Sequence, residues 1–378
     1  MRLIPSRMTY THTPSGHGTR LLTFLAAIAL VYPSARSFAQ GCVVARGAGH
    51  IGMMPHTVES SPWELSTAYR YFKSDRHFVG TTEQVHRQEE GSEVINRSHF
   101  VDLGVTYHLS PRYSLTLTVP YASHDRSSVV RDQNRAIKER FHVQSSGLGD
   151  IQVGGAGWLW DPVTPRPGNI QLGLGLVLPT GDEDVRDTFH AWDPVNERII
   201  GVERTVDQSI QPGSGGWGIN LNVYGYRELG SGFTAFASAS YTVTPEDDNG
   251  VPTFRSSPYE QIMGIPDSYL ARAGFEYLAL PDSGVALSLA LRMEGVPVHD
   301  LVGDNLGFRR PGYTVAIEPG ISITRARWTA RLYVPVAVQR NRQQSVPDKL
   351  ETAHTGVFRQ GDAAFADYLV GLSLSYRL

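Results

Sequence analysis

The sequence contains very little cysteine, charge or continuous hydrophobic chain. Cys42 is the single cysteine among 378 residues, so neither an intramolecular disulfide nor a cysteine-rich zinc site can form. Charged residues make up only 19% of the chain, and the formal net charge is −3. This composition excludes the strongly basic surface of a nucleic-acid-binding protein. The longest apolar run, Leu21 to Tyr32, is shorter than the roughly 20 residues of a membrane-spanning helix.

This apolar run has the setting of an export signal. No acidic residue occurs before position 40, and the basic residues that precede the run are Arg2, Arg7 and Arg20. Ser37-Phe38-Ala39 then places small residues at the −3 and −1 positions of a cleavage site. We therefore predict a signal peptide over 1–39 and a periplasmic N-terminal segment over 40–61. A start at Met8 and lipidation of Cys42 stay open as alternatives.

Alternation of apolar and polar residues is the recurring pattern from residue 62 onward, without a sustained helical period of 3.6. At the C-terminus, every second residue counted from Tyr368 to Leu378 is apolar or aromatic. In a β-strand such residues share one face. The pattern predicts twelve strands, at 63–71, 101–109, 113–122, 151–160, 170–178, 217–223, 233–243, 269–277, 285–293, 313–323, 328–338 and 368–378.

The connections between these strands alternate strictly between short and long. Ser110 to Arg112 is a short connection, whereas 181–214 is the longest. A soluble β-sandwich has no reason for this alternation, but transmembrane β-barrels have short periplasmic turns and long extracellular loops. We therefore predict an all-β fold over residues 62–378, a transmembrane antiparallel β-barrel of about 12 strands in the outer membrane.

Aromatic residues fall in two bands on the predicted outward face. Because amphipathic rings prefer the headgroup level, barrels carry such girdles at both interfaces. The residues next to the short turns are Trp63, Tyr107, Tyr113, Tyr277, Trp328 and Tyr376. The residues next to the long loops are Tyr71, Tyr121, Trp217, Tyr241, Tyr269, Tyr313 and Tyr368. A soluble sandwich predicts neither band.

Two short motifs resemble those of known outer-membrane proteins. Gly147-Leu148-Gly149-Asp150 precedes one predicted strand, and Leu178-Pro179-Thr180-Gly181-Asp182 follows the next. With them the chain resembles bacterial outer-membrane transporters of the family linked to the MetA pathway of phenol degradation. The resemblance implies an outer-membrane pore close to aromatic catabolism. The alternating C-terminus also resembles the signal read by the outer-membrane insertion machinery, although Leu378 stands where phenylalanine is usual.

The inward face of a barrel meets solute, and here it is mixed in composition. Much of it is small and polar, which leaves room for water in a barrel wider than the eight-stranded kind. Charged residues at inward positions are candidates for solute selection, because charged rings and ladders set ion preference in pores. The candidates are Asp102, Arg272, Glu276, Arg292, Glu294, Glu318 and Arg331, with Asp367 and Arg377 at the same parity. A purely bracing role for such ladders stays open.

The long loops contain acidic clusters and one unusual apolar set. The acidic clusters, which are either solvated or bridged to lipopolysaccharide by divalent ions, are Glu89-Glu90, Asp182 to Asp184 and Glu246 to Asp248. Trp192 and Ile199-Ile200 lie in the 181–214 loop, where open solvent would not favour them. We hypothesise that this loop packs over or into the barrel mouth as a gate.

An enzyme is the second functional hypothesis, because some outer-membrane barrels are hydrolases. A hydrolase needs a nucleophile and a base within hydrogen-bond reach. The candidate pairs are His99 with Ser98, and His124 with Asp125 or Ser123. Ser98 and His99 point to opposite faces of one strand, which argues against the first pair. Gly213, Gly215 and Gly218 spell a dinucleotide-binding motif, but the strand–helix setting that this motif needs is missing.

We therefore predict an outer-membrane channel for the passive passage of small molecules, aromatic or other hydrophobic compounds among them. No enzymatic activity, cofactor or metal site is expected. A structural or adhesive surface barrel without transport is the alternative, followed by a hydrolase. The predicted partners are the lipid bilayer, lipopolysaccharide, the insertion machinery and a small-molecule solute, but not nucleic acid.

Overall fold

A computed structural model describes residues 61–378, and the regular secondary structure of these residues is almost entirely β-strand. The predicted signal peptide, 1–39, and the predicted periplasmic segment, 40–61, lie outside these residues apart from Ser61, so both stay predictions. Within the described residues, no helix has the length and apolar character needed to cross a membrane.

Nineteen strands are present between residues 61 and 378, and most of them form the wall of one barrel. They are β1 (Trp63–Val79), β2 (Thr82–Glu83), β3 (Ile95–His108), β4 (Tyr113–Arg131), β5 (Ile137–Leu148), β6 (Gln152–Trp158), β7 (Gly168–Val177), β8 (Arg186–Asp193), β9 (Arg198–Thr205), β10 (Gly218–Gly230), β11 (Phe233–Val243), β12 (Asp248–Pro252), β13 (Ile262–Gly264), β14 (Ser268–Leu280), β15 (Val285–Val296), β16 (Gly312–Arg325), β17 (Trp328–Tyr333), β18 (Val336–Arg342) and β19 (Ala363–Arg377).

The wall has twelve antiparallel positions, which confirms the predicted fold. Neighbours are hydrogen-bonded in the order β1, β3, β4, β6, β7, β10, β11, β14, β15, β16, β17 and β19. β19 then pairs with β1, from Glu64 opposite Arg377 to Phe78 opposite Ala363, so the ring is closed. Closure pairs the backbone groups of neighbouring strands, as the hydrocarbon layer requires.

Two wall positions consist of two strand segments each. β5 and β6 both pair with β4, and residues 149–151 lie between them. β17 and β18 both pair with β16, with Val334-Pro335 between them. The prediction of one continuous strand over 328–338 was therefore wrong. Proline has no backbone N–H to donate, so Pro335 interrupts the ladder at this point.

Side chains alternate between the lumen and the lipid-facing surface along each wall strand. On β3, for example, Asp102 and Thr106 are buried, whereas Leu103 and Val105 are exposed. Both predicted girdles contain exposed aromatic rings, such as Trp63 and Tyr121. Tyr277 differs from the rest of its girdle because Phe233 stacks on it, with 4.6 Å between ring centroids, and buries it.

Short turns lie on the periplasmic side, where both chain ends of the barrel also lie. The turn between β14 and β15 contains a single 3₁₀ turn over Pro281–Ser283 that ends at Gly284. Gly284 has a left-handed φ of 59°, and a Cβ there would collide with the carbonyl of Thr324. Only glycine fits both requirements, so this residue fixes the tight turn.

The extracellular side is more ordered than the sequence predicted. The region 123–147, predicted as a long loop, is a hairpin in which β4 and β5 stay paired from Tyr121–Leu148 to Arg131–Ile137. Alternation of apolar residues marks only the membrane-facing part of a strand, because outward positions above the girdle meet water. The prediction therefore ended these strands too early.

Two helices, α1 (His86–Glu89) and α2 (Val346–Thr355), lie in the extracellular loops. The side chain of Ser345 accepts a hydrogen bond from the Asp348 amide at 3.0 Å, and Asp348 Oδ2 accepts one from the Ser345 amide at 3.0 Å. This capping box starts α2, and Gly356, with a φ of 70°, ends it. Arg342 at the top of β18 lies 3.3 Å from Asp348, which ties the helix to the barrel.

Candidate functional site

Six of the seven charged candidates lie on one side of the lumen, which we call the charged wall. They are Arg272 and Glu276 on β14, Arg292 and Glu294 on β15, Glu318 on β16 and Arg331 on β17. Glu318 is fully buried and contacts three guanidinium groups. Arg272 Nη1 and Arg292 Nη1 donate to its two oxygens at 3.0 Å each, and Arg331 Nη2 lies 3.5 Å away.

The strand register explains this convergence. Arg272 and Arg292 are direct cross-strand partners, and like charges at such positions repel each other. Glu318 on the next strand, opposite Ala290, supplies one carboxylate that bridges both. Arg292 Nη2 also donates to Glu294 at 2.8 Å. The charged wall contains three arginines and three glutamates and is therefore neutral overall. Charges that compensate one another in this way are typical of a structural role.

Asp102 lies apart from the charged wall, on β3. It accepts a hydrogen bond from Arg70 Nη2 at 3.1 Å, and both side chains are buried. The Arg70 guanidinium also lies 5.0 Å from the ring centroid of Phe100, on which Phe72 stacks at 6.0 Å. Asp367, at the same parity, contacts Arg76 at 3.3 Å near the extracellular end of β19. The charges therefore form separate paired groups.

The inward faces of β4, β6, β7 and β10 form a different surface, which we call the open wall. It carries small residues and uncharged polar groups around a groove of about 120 Å³. The inward groove residues include Thr116, Thr118, Gln152, Gly154, Gln171, Gly173, Gly175, Asn220 and Asn222. In the ring of strands, β11 separates the two walls on one side and β19, β1 and β3 on the other, so they face each other across the lumen.

The open wall projects little into the lumen, because glycines without side chains lie opposite each other on neighbouring strands. Gly154 lies opposite Gly175, and a Cβ on Gly154 would lie 3.0 Å from the Leu174 carbonyl. Asn220 Nδ2 donates to Thr242 Oγ1 at 2.7 Å, and Asn222 Nδ2 donates to Asn220 Oδ1. These bonds orient the amides along the groove, which can therefore offer hydrogen bonds without any net charge.

A second cavity, of about 200 Å³, lies at the extracellular mouth of the lumen. Apolar side chains supply much of this mouth cavity, and they include Phe72, Phe100, Val177, Met263 and Ile265. Gln152 lines both the mouth cavity and the groove, so the two spaces meet at this residue. Together they trace a path from the mouth down the open wall.

Residues 206–216 form the roof of the mouth cavity, and we call them the mouth segment. Val206 and Ile210 are fully buried and pack against Val143 of β5. Gln208 Nε2 donates to the Phe308 carbonyl at 3.0 Å and also to that of Gly264. The hypothesis that the 181–214 loop packs into the mouth therefore agrees with the structure for the end of this loop.

The apolar residues that motivated this hypothesis lie elsewhere. Trp192, Ile199 and Ile200 belong to the β8–β9 hairpin, which stands outside the barrel wall. Trp192 Nε1 donates to Gln133 Oε1 at 2.6 Å, and His190 stacks on Phe141 of β5 with 3.8 Å between ring centroids. Trp192 and His190 therefore fasten the hairpin to the β4–β5 extension, and the mouth cavity is lined by the segment that follows the hairpin.

Asp207 is the charged centre of the mouth segment, and it was not among the predicted site residues. Its carboxylate is buried, 2.7 Å from Arg310 Nη2 and 3.5 Å from Arg126 Nη2. Burial opposes ionisation of Asp207, but Arg126 and Arg310 outweigh that effect and hold its pKa well below the ordinary value. Parity identifies inward residues only within strands, so it could not find a lumenal charge carried by a loop.

The two family-like motifs meet beside the mouth segment. Asp150 Oδ1 accepts a hydrogen bond from the Gly181 amide at 3.1 Å, and Oδ2 accepts one from the Ser214 amide at 2.8 Å. A Cβ on Gly181 would lie 2.6 Å from the Cα of Gly213. The glycine-rich stretch that imitates a dinucleotide-binding motif therefore serves close backbone packing.

The structure pairs the candidate enzyme residues differently from the prediction, because the cross-strand register decides which side chains meet. Ser98 lies opposite His124, and its Oγ is 2.9 Å from His124 Nδ1. His99 instead contacts the Tyr69 hydroxyl at 2.8 Å. Ser98 and His124 are 1% and 4% exposed and line neither the mouth cavity nor the groove, so a substrate in either space does not meet this pair.

Metal chemistry has no visible basis in residues 61–378. This part of the chain contains no group of three or more histidine, cysteine, aspartate or glutamate side chains placed to hold an ion. The acidic clusters of the loops are engaged in other contacts. Asp247 Oδ1, for example, accepts hydrogen bonds from the amides of Asp304 and Asn305 at 2.7 and 3.0 Å.

No family model and no curated protein sequence matches this chain. Among solved structures, an outer membrane channel from Pseudomonas putida F1 superposes with a TM-score of 0.54 at 13% identity, over 89% of this chain and 100% of that chain. The translocator domain of the autotransporter NalP from Neisseria meningitidis gives 0.41 at 10% identity, over 96% and 97%. The Ralstonia pickettii toluene transporter TbuX gives 0.40 at 8%, over 84% and 90%.

The first superposition shows the fold, an outer-membrane β-barrel. The other two similarities are too low to carry an argument. The fold also places the chain in the outer membrane, with its apolar face toward lipid.

Proposed function

We propose that this outer-membrane barrel is a channel for the passive passage of small molecules. The observation that carries the proposal is that the mouth cavity and the groove of the open wall adjoin at Gln152, which lines both. The structural neighbour from Pseudomonas putida F1 is itself described as an outer membrane channel. No ATP is available in the outer membrane, so transport down a gradient is the simplest mechanism.

The linings of the two spaces favour uncharged solutes, aromatic or other hydrophobic compounds among them. Phe72, Phe100 and Met263 offer apolar contact in the mouth cavity, and the amides of the groove offer hydrogen bonds. The charged wall, by contrast, satisfies its own charges. We propose that it braces the barrel, with Arg272, Arg292 and Arg331 around Glu318, rather than that it selects ions.

The remaining predicted partners follow from the location. Lipopolysaccharide would surround the extracellular half, and the outer-membrane insertion machinery would assemble the barrel. We do not propose an enzymatic activity, because Ser98 and His124 face neither cavity.

Liposome swelling with sugars, amino acids and neutral aromatic compounds tests the channel directly. We expect faster swelling with neutral solutes than with charged solutes of equal size. Protein-free liposomes and a heat-denatured sample are the controls. Absence of both swelling and single-channel current would overturn the proposal and favour a structural or adhesive barrel, whereas ester hydrolysis by the pure protein would favour an enzyme.

Thiol labelling tests the route. In a Cys42→Ser background, Asn222→Cys places a thiol in the groove and Val223→Cys places one on the lipid-facing surface of the same strand. A hydrophilic thiol reagent should reduce current through the first variant and leave the second unchanged. Equal responses of the two variants would exclude the open wall as the route.

A further inference from the structure

We infer that the mouth segment is a lid over the mouth cavity and that Asp207 is the residue that latches it shut. The inference rests on the proposed channel function, because a lid matters only where solute passes. It goes beyond that function by naming the moving part and the contacts that must break.

The roof of the cavity is made by the mouth segment itself. Gln208, Ser209, Gln211, Gly213 and Ser214 all line the cavity. A solute that arrives from the extracellular side must therefore displace these residues or pass between them and the neighbouring loops.

The contacts of the mouth segment differ on its two sides. On the side of β4 and β5 it has apolar packing of Val206 and Ile210 against Val143, and a hydrogen bond from the Ser145 hydroxyl to the Ile210 carbonyl. On the opposite side, the contacts between this segment and the loops 244–267 and 297–311 are mostly hydrogen bonds and an ion pair, with Ile265 beside Gly216 as an apolar neighbour. The side of β4 and β5 is therefore the anchored side of the segment, because hydrophobic burial is non-directional and does not require a particular bond geometry.

The polar side centres on two neighbouring residues. Asp207 contacts Arg310, and Gln208 donates to the carbonyls of Gly264 and Phe308. Asp207 also contacts Arg126 on the anchored side, so one carboxylate joins both sides of the mouth. Without it, the buried guanidinium group of Arg310 and the partly buried one of Arg126 would repel each other across the roof. This is the arrangement of a latch.

Access of a thiol reagent to the cavity measures the state of the lid without requiring transport. Ala122→Cys in the Cys42→Ser background places a reporter thiol on the cavity lining. The reagent is a maleimide on a polyethylene glycol chain too large to cross the outer membrane, added to whole cells. Asp207→Asn should increase the labelling rate severalfold, and Gln208→Ala should increase it by less.

Asp348→Asn is the matched control, because Asp348 is an equally buried carboxylate that pairs with Arg342 in a different extracellular loop. Its labelling rate should equal that of the parent. Heat-modifiable migration on gels confirms that each variant is folded. Should Asp207→Asn fail to assemble, Gln208→Ala still tests the lid, since it removes only neutral hydrogen bonds.

Equal labelling rates in the parent and in the folded latch variants would overturn the lid. The swelling assay separates this result from a failure of the channel itself. Faster labelling without solute flux in any variant would refute the channel and keep the movable roof. Solute flux in the parent with unchanged labelling would refute the lid and keep the channel.

Discussion

Three arginines and three glutamates fill one side of the lumen, whereas glycines, threonines and amides leave a groove on the other. The two walls have the same strand geometry and the same alternation of inward and outward residues. On the charged wall, Glu318 gathers Arg272 and Arg292 into a compact network. On the open wall, Gly154 and Gly175 pair directly, and no side chain fills the space between them.

The difference teaches that charge inside a barrel is not by itself a sign of selectivity. A buried carboxylate with three guanidinium contacts has little capacity left for a passing ion, and its removal would leave uncompensated charge. An amide in a groove has unused hydrogen-bonding capacity and costs little to approach. We therefore expect the charged wall to control stability and the open wall to control permeation.

Glu318→Gln should have the largest effect. It would leave three arginines without their shared carboxylate, and loss of one partner from a buried ion network typically costs about 3–5 kcal/mol. We expect a large decrease in the temperature at which the barrel loses its compact migration on gels, and in the urea concentration needed for unfolding. Asn222→Ala on the open wall is the matched comparison, with an expected loss of about 1 kcal/mol for one hydrogen bond. If the two variants lost equal stability, the charged wall would not be the part that braces the barrel.

The sequence allowed a good prediction of the wall and a poor one of the mouth. Strand alternation located all twelve wall positions and placed Arg272, Arg292 and Glu318 on one face, because side-chain direction within a strand follows from parity alone. Pro335 could have indicated the break between β17 and β18, since proline cannot donate to a ladder. Above the girdle, outward positions meet water and the apolar alternation ends, so the β4–β5 hairpin was predicted as a loop.

The mouth segment could not be predicted because no periodicity governs a loop. Asp207 becomes a lumenal residue only through tertiary contacts with Arg126, 81 positions earlier, and Arg310, 103 positions later. Trp192 and Ile199 pointed to this loop for the wrong reason, since they belong to its outer hairpin and do not line the mouth cavity. Ser98 and His124 were likewise brought together by cross-strand register and not by proximity in sequence.

A bulky side chain in the groove should have the next largest effect. Asn222→Trp fills the space on the open wall and should reduce the rate of liposome swelling severalfold, with a loss of stability much smaller than that of Glu318→Gln. The same substitution one residue further, Val223→Trp, points to lipid and should leave the rate unchanged. Unreduced swelling with Asn222→Trp would show that solute does not follow the open wall.

A new carboxylate should change ion selectivity more on the open wall than beside the charged wall. Asn222→Asp places a carboxylate in the groove without a partner, and we expect a shift of the reversal potential toward cation selectivity in a salt gradient. Ser238→Asp places the same carboxylate beside Arg272, whose Nε lies 3.5 Å from the Ser238 hydroxyl. Arg272 would compensate most of this charge, so the shift should be much smaller. A larger shift from Ser238→Asp would assign selectivity to the charged wall.

The smallest effect should come from an ion pair outside the lumen. Lys73 and Asp75 lie 2.6 Å apart on the outer face of β1, and the lysine side chain is 43% exposed. Water screens such a pair, so Asp75→Asn should change the free energy of unfolding by at most about 1 kcal/mol. The measurement is the same urea transition used for Glu318→Gln. A loss as large as that of Glu318→Gln would mean that the number of ion pairs, and not their burial in the charged wall, determines how strongly this barrel resists unfolding.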